Sequence, residues 1–244
     1  MTIAEFCALL TPLISGTAFA GKTYIVGGAV RDHLLGKSDI ADFDLTVELP
    51  RGGIRLAKLL GKTLQPDNIR INHHFGTARM NFPGYVLDLC GTRKERYRPN
   101  SRFPDVSYGS LPDDIIRRDF TVNALLIEVS SSEVIDLCGK GLDDLKDGII
   151  RTLRDPVIVL SEDPLRILRA VRFAVRLGFE ICPELMEALK TSAPLVKTLS
   201  KSRKLQELKL MQEQGDFDKA ERLLDLLGIR GELLRNEMGT SGTR

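Results

Sequence analysis

The 244-residue sequence is poor in cysteine: its four, Cys7, Cys90, Cys138 and Cys182, are far apart, with no close-spaced pair. Such spacing implies neither a zinc site nor a disulfide framework, and it points to a reducing compartment. Histidine is scarcer still. Of the three, His73 and His74 are adjacent, but no Cys or carboxylate spacing joins them into a metal motif, so a structural or surface role is expected. No apolar run approaches the length of a transmembrane helix. The N-terminus lacks a Lys/Arg-rich start, and its apolar stretch is cut by Glu5 and Pro12, so it reads as a short helix and not as a signal peptide. These absences lead to an expected cytoplasmic location with no membrane partner. Charge bias is missing as well: 35 Lys+Arg against 33 Asp+Glu leave a net +2, which by itself indicates no polyanion partner. No internal repeat is present, and nothing in the sequence specifies an oligomeric state.

What is there is an ordinary globular composition, 43% hydrophobic and 28% charged. The length suits one large domain or two small ones. A chain of this size buries roughly 70–75% of its unfolded surface and needs no disulfide or structural metal to fold. Charge is concentrated in two places. Arg93, Lys94, Arg96, Arg98 and Arg102 surround Tyr97 and Phe103, and Arg166, Arg169, Arg172 and Arg176 recur every three to four residues. Both clusters suit phosphate, and both equally suit a solvated loop and a solvated helix face.

Along the chain, residues 23–27 are β-branched and aromatic and end in glycines, which predicts a strand. Asp32 to Leu35 predicts a short helix ended by Gly36. Residues 42–47 alternate polar and apolar, as a strand with one buried face does. Residues 54–61 predict a helix closed by Gly61, and 75–82 and 85–90 predict two strands around the Pro83-Gly84 turn. Residues 91–112, rich in Arg, Pro, Ser and Gly, read as a long loop, a feature that is often functional. A short helix is expected at 113–119, a strand or helix at 123–129, and an edge strand at 133–138. After Arg154 aliphatic residues recur at helical spacing (Leu165, Leu168, Val171, Val175), and further helices are expected at 183–190, 202–213 and 216–227. An α+β region followed by a helical one results. The last residues, Met238 to Arg244, are Gly/Ser/Thr-rich, and a flexible tail is expected over 233–244.

Four short motifs carry chemistry. Gly27-Gly28-Ala29-Val30-Arg31-Asp32 sets two glycines between a strand and a helix, where backbone N–H groups and Arg31 suit an anion such as triphosphate. A plain strand-to-helix turn gives the same pattern. Asp42-Phe43-Asp44 puts two carboxylates on one strand face. A two-metal phosphoryl-transfer site needs such a pair, although a solvated strand edge shows it too. Asp88, between apolar neighbours in Val86-Leu87-Asp88-Leu89, is a candidate third carboxylate. Arg117-Arg118-Asp119-Phe120-Thr121-Val122-Asn123-Ala124 suits phosphates and ribose hydroxyls, or is a helix end capped by Asp119 or Thr121. Glu162-Asp163-Pro164-Leu165-Arg166 places Asp163 and Arg166 on one helix face, enough to read a nucleobase edge. Alternatively Asp163 is an N-cap before Pro164, and Arg166 pairs with Glu162.

Each motif is weak alone, but the order of the four is specific. It resembles the bacterial and eukaryotic type of tRNA nucleotidyltransferase (the CCA-adding enzyme) and its sister, bacterial poly(A) polymerase, from about Tyr24 to Phe179. The resemblance implies a nucleotidyltransferase head with a small mixed β-sheet flanked by helices over 1–154, and an all-helical neck over 155–232. It implies that Asp42 and Asp44 bind magnesium and that Asp88 completes the catalytic set. It implies that Gly27, Gly28 and Arg31 contact triphosphate, that Arg118, Asp119 and Asn123 contact ribose and phosphate, and that Asp163, Arg166 and Arg169 bind the incoming nucleotide. The implied reaction adds nucleotides from CTP and ATP to the tRNA acceptor end, and the long basic segment 91–112 favours CCA or A addition over CC alone. Three alternatives share parts of the pattern: poly(A) addition to other RNA 3′ ends, a binding module with lapsed catalysis, and nucleotidylation of a small molecule. The family usually continues through further helical domains, and Ser202-Arg203 to Glu207 only loosely matches its next motif.

Overall fold

The computed structural model describes residues 1–96 and 105–234. It divides into two compact units, 1–142 and 143–244.

The first unit is a mixed seven-stranded sheet with helices. In chain order it has α1 (Ile3–Ile14), β1 (Thr23–Val26), α2 (Gly28–Leu34), β2 (Asp42–Val47), α3 (Gly52–Thr63), β3 (Asn68–Asn72), β4 (Thr77–Phe82) and β5 (Tyr85–Gly91). Then come β6 (Arg93–Arg96), β7 (Asp105–Tyr108), α4 (Leu111–Ile116), a 3₁₀ turn at Thr121–Asn123, β8 (Leu126–Glu128) and β9 (Val134–Ile135). The sheet order is β3-β4-β5-β2-β1-β8-β9; β2 and β5 run parallel and the other neighbours antiparallel. Strand alternation gives the sheet one apolar face. Phe43, Leu45, Met80, Leu87 and Leu89 are all buried, and Phe43 stacks on Phe6 of α1 at 4.0 Å between ring centroids.

The predicted strand at 42–47 and the hairpin around Pro83-Gly84 are present. Four expectations need correction. The second helix begins at Gly28, four residues before Asp32, because Gly27 supplies the turn that starts it. Gly61 lies inside α3 and does not end it; a Cβ there would come within 2.7 Å of Ile69 Cδ1, so glycine serves helix-to-strand packing. Residues 68–72 form an unforeseen edge strand. The expected loop at 91–112 contains the β6–β7 hairpin, in which Arg93 to Arg96 pair with Tyr108 to Asp105. Of the basic cluster placed in that loop, Arg98, Arg102, Tyr97 and Phe103 lie outside the described residues.

The second unit is helical. After α5 (Gly141–Asp147), which crosses the division, it has β10 (Ile149–Ile150), α6 (Pro156–Glu162), α7 (Leu165–Leu177), β11 (Glu180–Ile181), α8 (Pro183–Ser192), α9 (Lys201–Gln214), α10 (Phe217–Leu226) and α11 (Arg230–Leu234). The division falls before the expected 154/155 boundary. Residues 149–150 pair in parallel with β11, and Arg151 bonds Asp144 at 3.2 Å, which ties this stretch to the helices. The expected tail lies outside the described residues from 235 onward.

Candidate active site

Three of the four motifs meet in the first unit. β1 ends at Val26, and the next residue, Gly27, has φ 73° and ψ −133°, a conformation that disfavours any side chain. A Cβ on Gly27 would lie 3.7 Å from Asp44 Oδ2 and 3.8 Å from Arg118 Nη1. The bare backbone of the glycine turn therefore sits against one carboxylate of the Asp-x-Asp pair and one guanidinium of the Arg-Arg-Asp motif.

The carboxylates come from strand register. On β2, Asp42 and Asp44 are exposed, while Phe43 and Leu45 are buried at 1% and 0%. Parallel pairing sets Asp44 beside Asp88 of β5, and antiparallel pairing sets Arg79 of β4 beside Asp88, with Arg79 Nη1 3.4 Å from Asp88 Oδ2. Although Asp44 keeps solvent access, the protein packed around its carboxyl desolvates it and raises it above the ordinary carboxylate range; Asp88 and Asp42 raise it further, against the opposing charges of Arg118 and Arg79. Burial likewise raises Asp88, with Arg79 opposing and Asp42 adding to the rise. Asp44 and Asp88, both raised and both facing the charge of Asp42, form a site that a cation would relieve.

The donor set is all oxygen, which suits a hard cation such as magnesium. Among the described residues no group of three or more His, Cys, Asp or Glu is drawn close enough to hold a metal ion by itself. Magnesium fits such a partial set, since it commonly takes one or two carboxylates and completes its shell with water and substrate phosphate.

The Arg-Arg-Asp motif is anchored by a residue that no motif singled out. Asp114, fully buried on α4, accepts from Arg117 Nη2 at 2.7 Å and Arg118 Nη2 at 3.0 Å. Burial works to raise its carboxyl, but Arg118 and Arg117 outweigh burial and hold it below the ordinary range. The signal was in the sequence: Asp114 stands three and four residues before the two arginines, one helical turn away. Arg118 Nε is buried without a hydrogen-bond partner.

Arg31 is not presented to solvent. It is 1% exposed, its Nε and Nη2 donate to Asp32 Oδ1 at 2.8 and 2.6 Å, and its Nη1 donates to Asn123 Oδ1 at 2.5 Å. Asn123 Nδ2 in turn donates to Asp119 Oδ1 at 3.1 Å, which also accepts from Phe120 N at 2.8 Å. Arg31 thus holds the glycine motif to the Arg-Arg-Asp motif from inside. Neither Asp119 nor Thr121 is an N-cap; Phe120 precedes the 3₁₀ turn and no side chain caps it.

The second unit holds the fourth motif. Arg166 is 7% exposed, and its Nη1 donates to Val159 O at 3.0 Å and Glu162 Oε2 at 3.3 Å. Glu162 also accepts from Arg154 Nη1 at 3.0 Å. Asp163 is not the N-cap of α7: Pro164 is, because the helix starts one residue later, and Asp163 Oδ1 accepts from Leu165 N at 3.2 Å. Arg203 Nη2 lies 3.4 Å from both Asp163 oxygens. Arg169 stands over the Phe173 ring at 5.2 Å. Arg172, read as facing either phosphate or solvent, faces neither: it is buried and donates from Nε to Glu207 Oε2 at 2.7 Å. It belongs to the packing of α7 on α9.

A mixed sheet with adjacent-strand carboxylates against a glycine turn defines a nucleotidyltransferase-type head. Residues 23–151 match the family model of the poly(A) polymerase head domain, and the chain belongs to that family. It is 41% identical over 201 residues to the A-adding tRNA nucleotidyltransferase of Aquifex aeolicus, covering 80% of this chain and 24% of that protein. Over 199 residues it is 38% identical to poly(A) polymerase I of Escherichia coli, covering 78% of this chain and 42% of the relative. A solved tRNA nucleotidyltransferase complexed with a primer tRNA and an incoming ATP analog superposes with TM-score 0.71 at 33% identity, covering 99% of this chain and 64% of that one. The chain thus spans less than half the length of those two curated relatives.

Proposed function

We propose that the chain is a template-independent RNA nucleotidyltransferase, adding nucleotides from CTP and ATP to the 3′ end of tRNA and releasing pyrophosphate. The observation that carries this reading is the register that sets Asp44 beside Asp88, with Asp42 on the same face and the backbone of Gly27 against both Asp44 and Arg118. Asp42 and Asp44 would hold magnesium, with Asp88 as the third carboxylate. Bound there, magnesium supplies charge neutralisation of phosphate oxygens and acidifies the attacking hydroxyl. The chain's own groups do the positioning. The backbone of Gly27 and Gly28 leaves room for triphosphate, and Arg118 brings a positive charge to it. Arg31 acts through Asn123, and Asp119 and Asn123 face the ribose. Choice of nucleotide is assigned to Asp163, Arg166 and Arg169, the first two of which are held by hydrogen bonds in fixed orientations.

Every acidic, basic and glycine position of the four motifs is filled, which argues against lapsed catalysis. Among the described residues no helix is long and apolar enough to cross a membrane. The similarity to poly(A) polymerase I favours one second reading, ATP addition to other RNA 3′ ends. The deciding experiment offers tRNAs ending before CCA, after CC and after CCA, beside an unrelated RNA, with labelled CTP and ATP separately and magnesium present. Nucleotide addition that stops at a completed CCA end supports the first reading. Long A tracts on any RNA support the second. An Asp42→Ala variant that incorporates at the wild-type rate would overturn both.

A further inference from the structure

The carboxylates are part of a longer row. Strand register aligns Arg70 of β3, Arg79 of β4, Asp88 of β5 and Asp44 of β2 as successive cross-strand neighbours. Because side chains alternate, Asn68 and Asn72 of β3 and Thr77 and Asn81 of β4 share this face, while Ala78 and Met80 point into the core. The sheet face that carries the acids therefore continues outward, to the free edge strand β3, as an uninterrupted field of amides, hydroxyls and two arginines. No motif accounts for it.

Two features of this field call for an explanation. Like charges directly opposite on antiparallel strands are destabilising, yet Arg70 stands opposite Arg79. Arg79 is partly neutralised by Asp88, whereas Arg70 is exposed and has no partner among the described residues. Secondly, the β3–β4 turn presents an aromatic group to water. Phe75 is 62% exposed and in edge contact with His74 at 4.8 Å. The turn is held in shape by Asn72 Oδ1, which accepts from His74 N at 3.1 Å and Phe75 N at 3.2 Å. A pre-ordered aromatic tip beside an unneutralised cationic strand is the combination that binds single-stranded nucleic acid: guanidinium for phosphate, ring for base.

We propose that the β3–β4 hairpin is an RNA-binding arm, in which Arg70 and Arg79 hold backbone phosphate of the RNA strand that ends at the carboxylates and Phe75 stacks on one of its bases. Charge complementarity and continuity with Asp88 and Asp44 name the occupant. The inference rests on the nucleotidyltransferase reading for the direction of the strand, but its binding step is measurable without catalysis.

The test measures binding of a short unstructured RNA oligonucleotide across a salt series, together with steady-state incorporation and thermal melting, for Arg70→Gln, Arg70→Lys and Phe75→Ala. Each phosphate contact to a single strand contributes about 0.7 to the slope of log affinity against log salt. Arg70→Gln is expected to lower that slope by about this amount, to raise KM for RNA with KM for nucleotide unchanged, and to melt no lower than wild type because a like-charge pair is gone. Arg70→Lys should keep the slope. Phe75→Ala should weaken binding by roughly five- to 150-fold, the loss of one stacked base. Unchanged RNA affinity and slope in both Arg70→Gln and Phe75→Ala would overturn the inference, as would a lower melting temperature for Arg70→Gln with RNA binding intact. If wild type binds RNA through these residues but incorporates nothing, the failed element is the nucleotidyltransferase reading and not the arm.

Discussion

Replacing Asn123 with alanine tests whether the two nucleotide motifs are held together from inside. Asn123 is the acceptor for Arg31 Nη1 at 2.5 Å and a donor to Asp119 Oδ1 at 3.1 Å. Arg31 is 1% and Asp119 8% exposed, so water is poorly placed to replace either contact. Hydrogen bonds to charged groups contribute about 1.5–3 kcal/mol each. Arg31 keeps its two bonds to Asp32, and the two lost contacts share one residue, so their effects do not simply add. A loss of about 2–3 kcal/mol follows, which in a chain of this size lowers Tm by roughly 4–12 °C. Asn123→Asp separates the contacts: it keeps an acceptor for Arg31 but sets a second carboxylate against Asp119. Two such acids repel when both are ionised, which raises the pair's folded-state pKa above the unfolded value wherever that repulsion exceeds the opposing pull of the Arg31 guanidinium. Their contribution is therefore fully present below the unfolded carboxylate pKa and is lost as pH rises through the folded one. Asn123→Asp should melt near wild type in mild acid and fall below it towards neutral pH. Thermal melts over that range, with incorporation measured beside them, decide the matter. An unchanged Tm for Asn123→Ala, or a pH-independent deficit for Asn123→Asp, would refute the internal latch.

Asp44→Asn is expected to cut incorporation on the order of a thousandfold or more. Burial and then Asp88 raise the Asp44 carboxyl in the fold, so its ionisation weakens the fold as pH rises; the variant should melt like wild type in acid and higher at neutral pH without metal, and a lower neutral-pH Tm would contradict the acidic strain. Glu207→Ala strands buried Arg172 and should cost about 3–5 kcal/mol, whereas replacing both residues with apolar ones of similar size should cost far less; equal losses in a melting series would show that the pair is not an isolated buried couple. Arg166→Ala should lower discrimination among nucleotides by roughly ten- to a hundredfold in competitive incorporation, and a destabilised variant with intact selectivity would assign Arg166 a structural role through bonds such as those to Val159 and Glu162.

The parts of the site that were legible in the sequence are those governed by a local period. Alternation over 42–47 gave both the strand and the shared face of Asp42 and Asp44, and Pro83-Gly84 gave the turn that presents β5. Charge misled where it coincided with strand alternation. Arg93 to Arg96 and Asn68 to Asn72 place polar side chains on a strand face, which reads as loop in a single sequence because the core side of the pleat is short or only half buried. The start of α2 was missed because two glycines lower helix propensity while supplying the positive φ that launches it. Register is non-local: that β5 runs parallel to β2, and so sets Asp88 beside Asp44 rather than a residue away, depends on a connection of 37 intervening residues between Val47 and Tyr85.

Arginine shows most sharply what burial adds to pattern. Arg31, Arg166 and Arg172 stood in motifs or repeats that suggested open phosphate contacts, and all three are at most 7% exposed and bonded to the protein's own acceptors. A guanidinium so enclosed fixes geometry, because its several donors tie separate segments together at set angles. Arg70 and Arg79 stood in no motif, and both are exposed on the carboxylate face. If charge available to a polyanion follows exposure rather than motif membership, salt dependence of RNA binding belongs to the second group. Neutral substitutions at Arg70 should then change the salt slope, while conservative changes around Arg172 should change only the melting temperature.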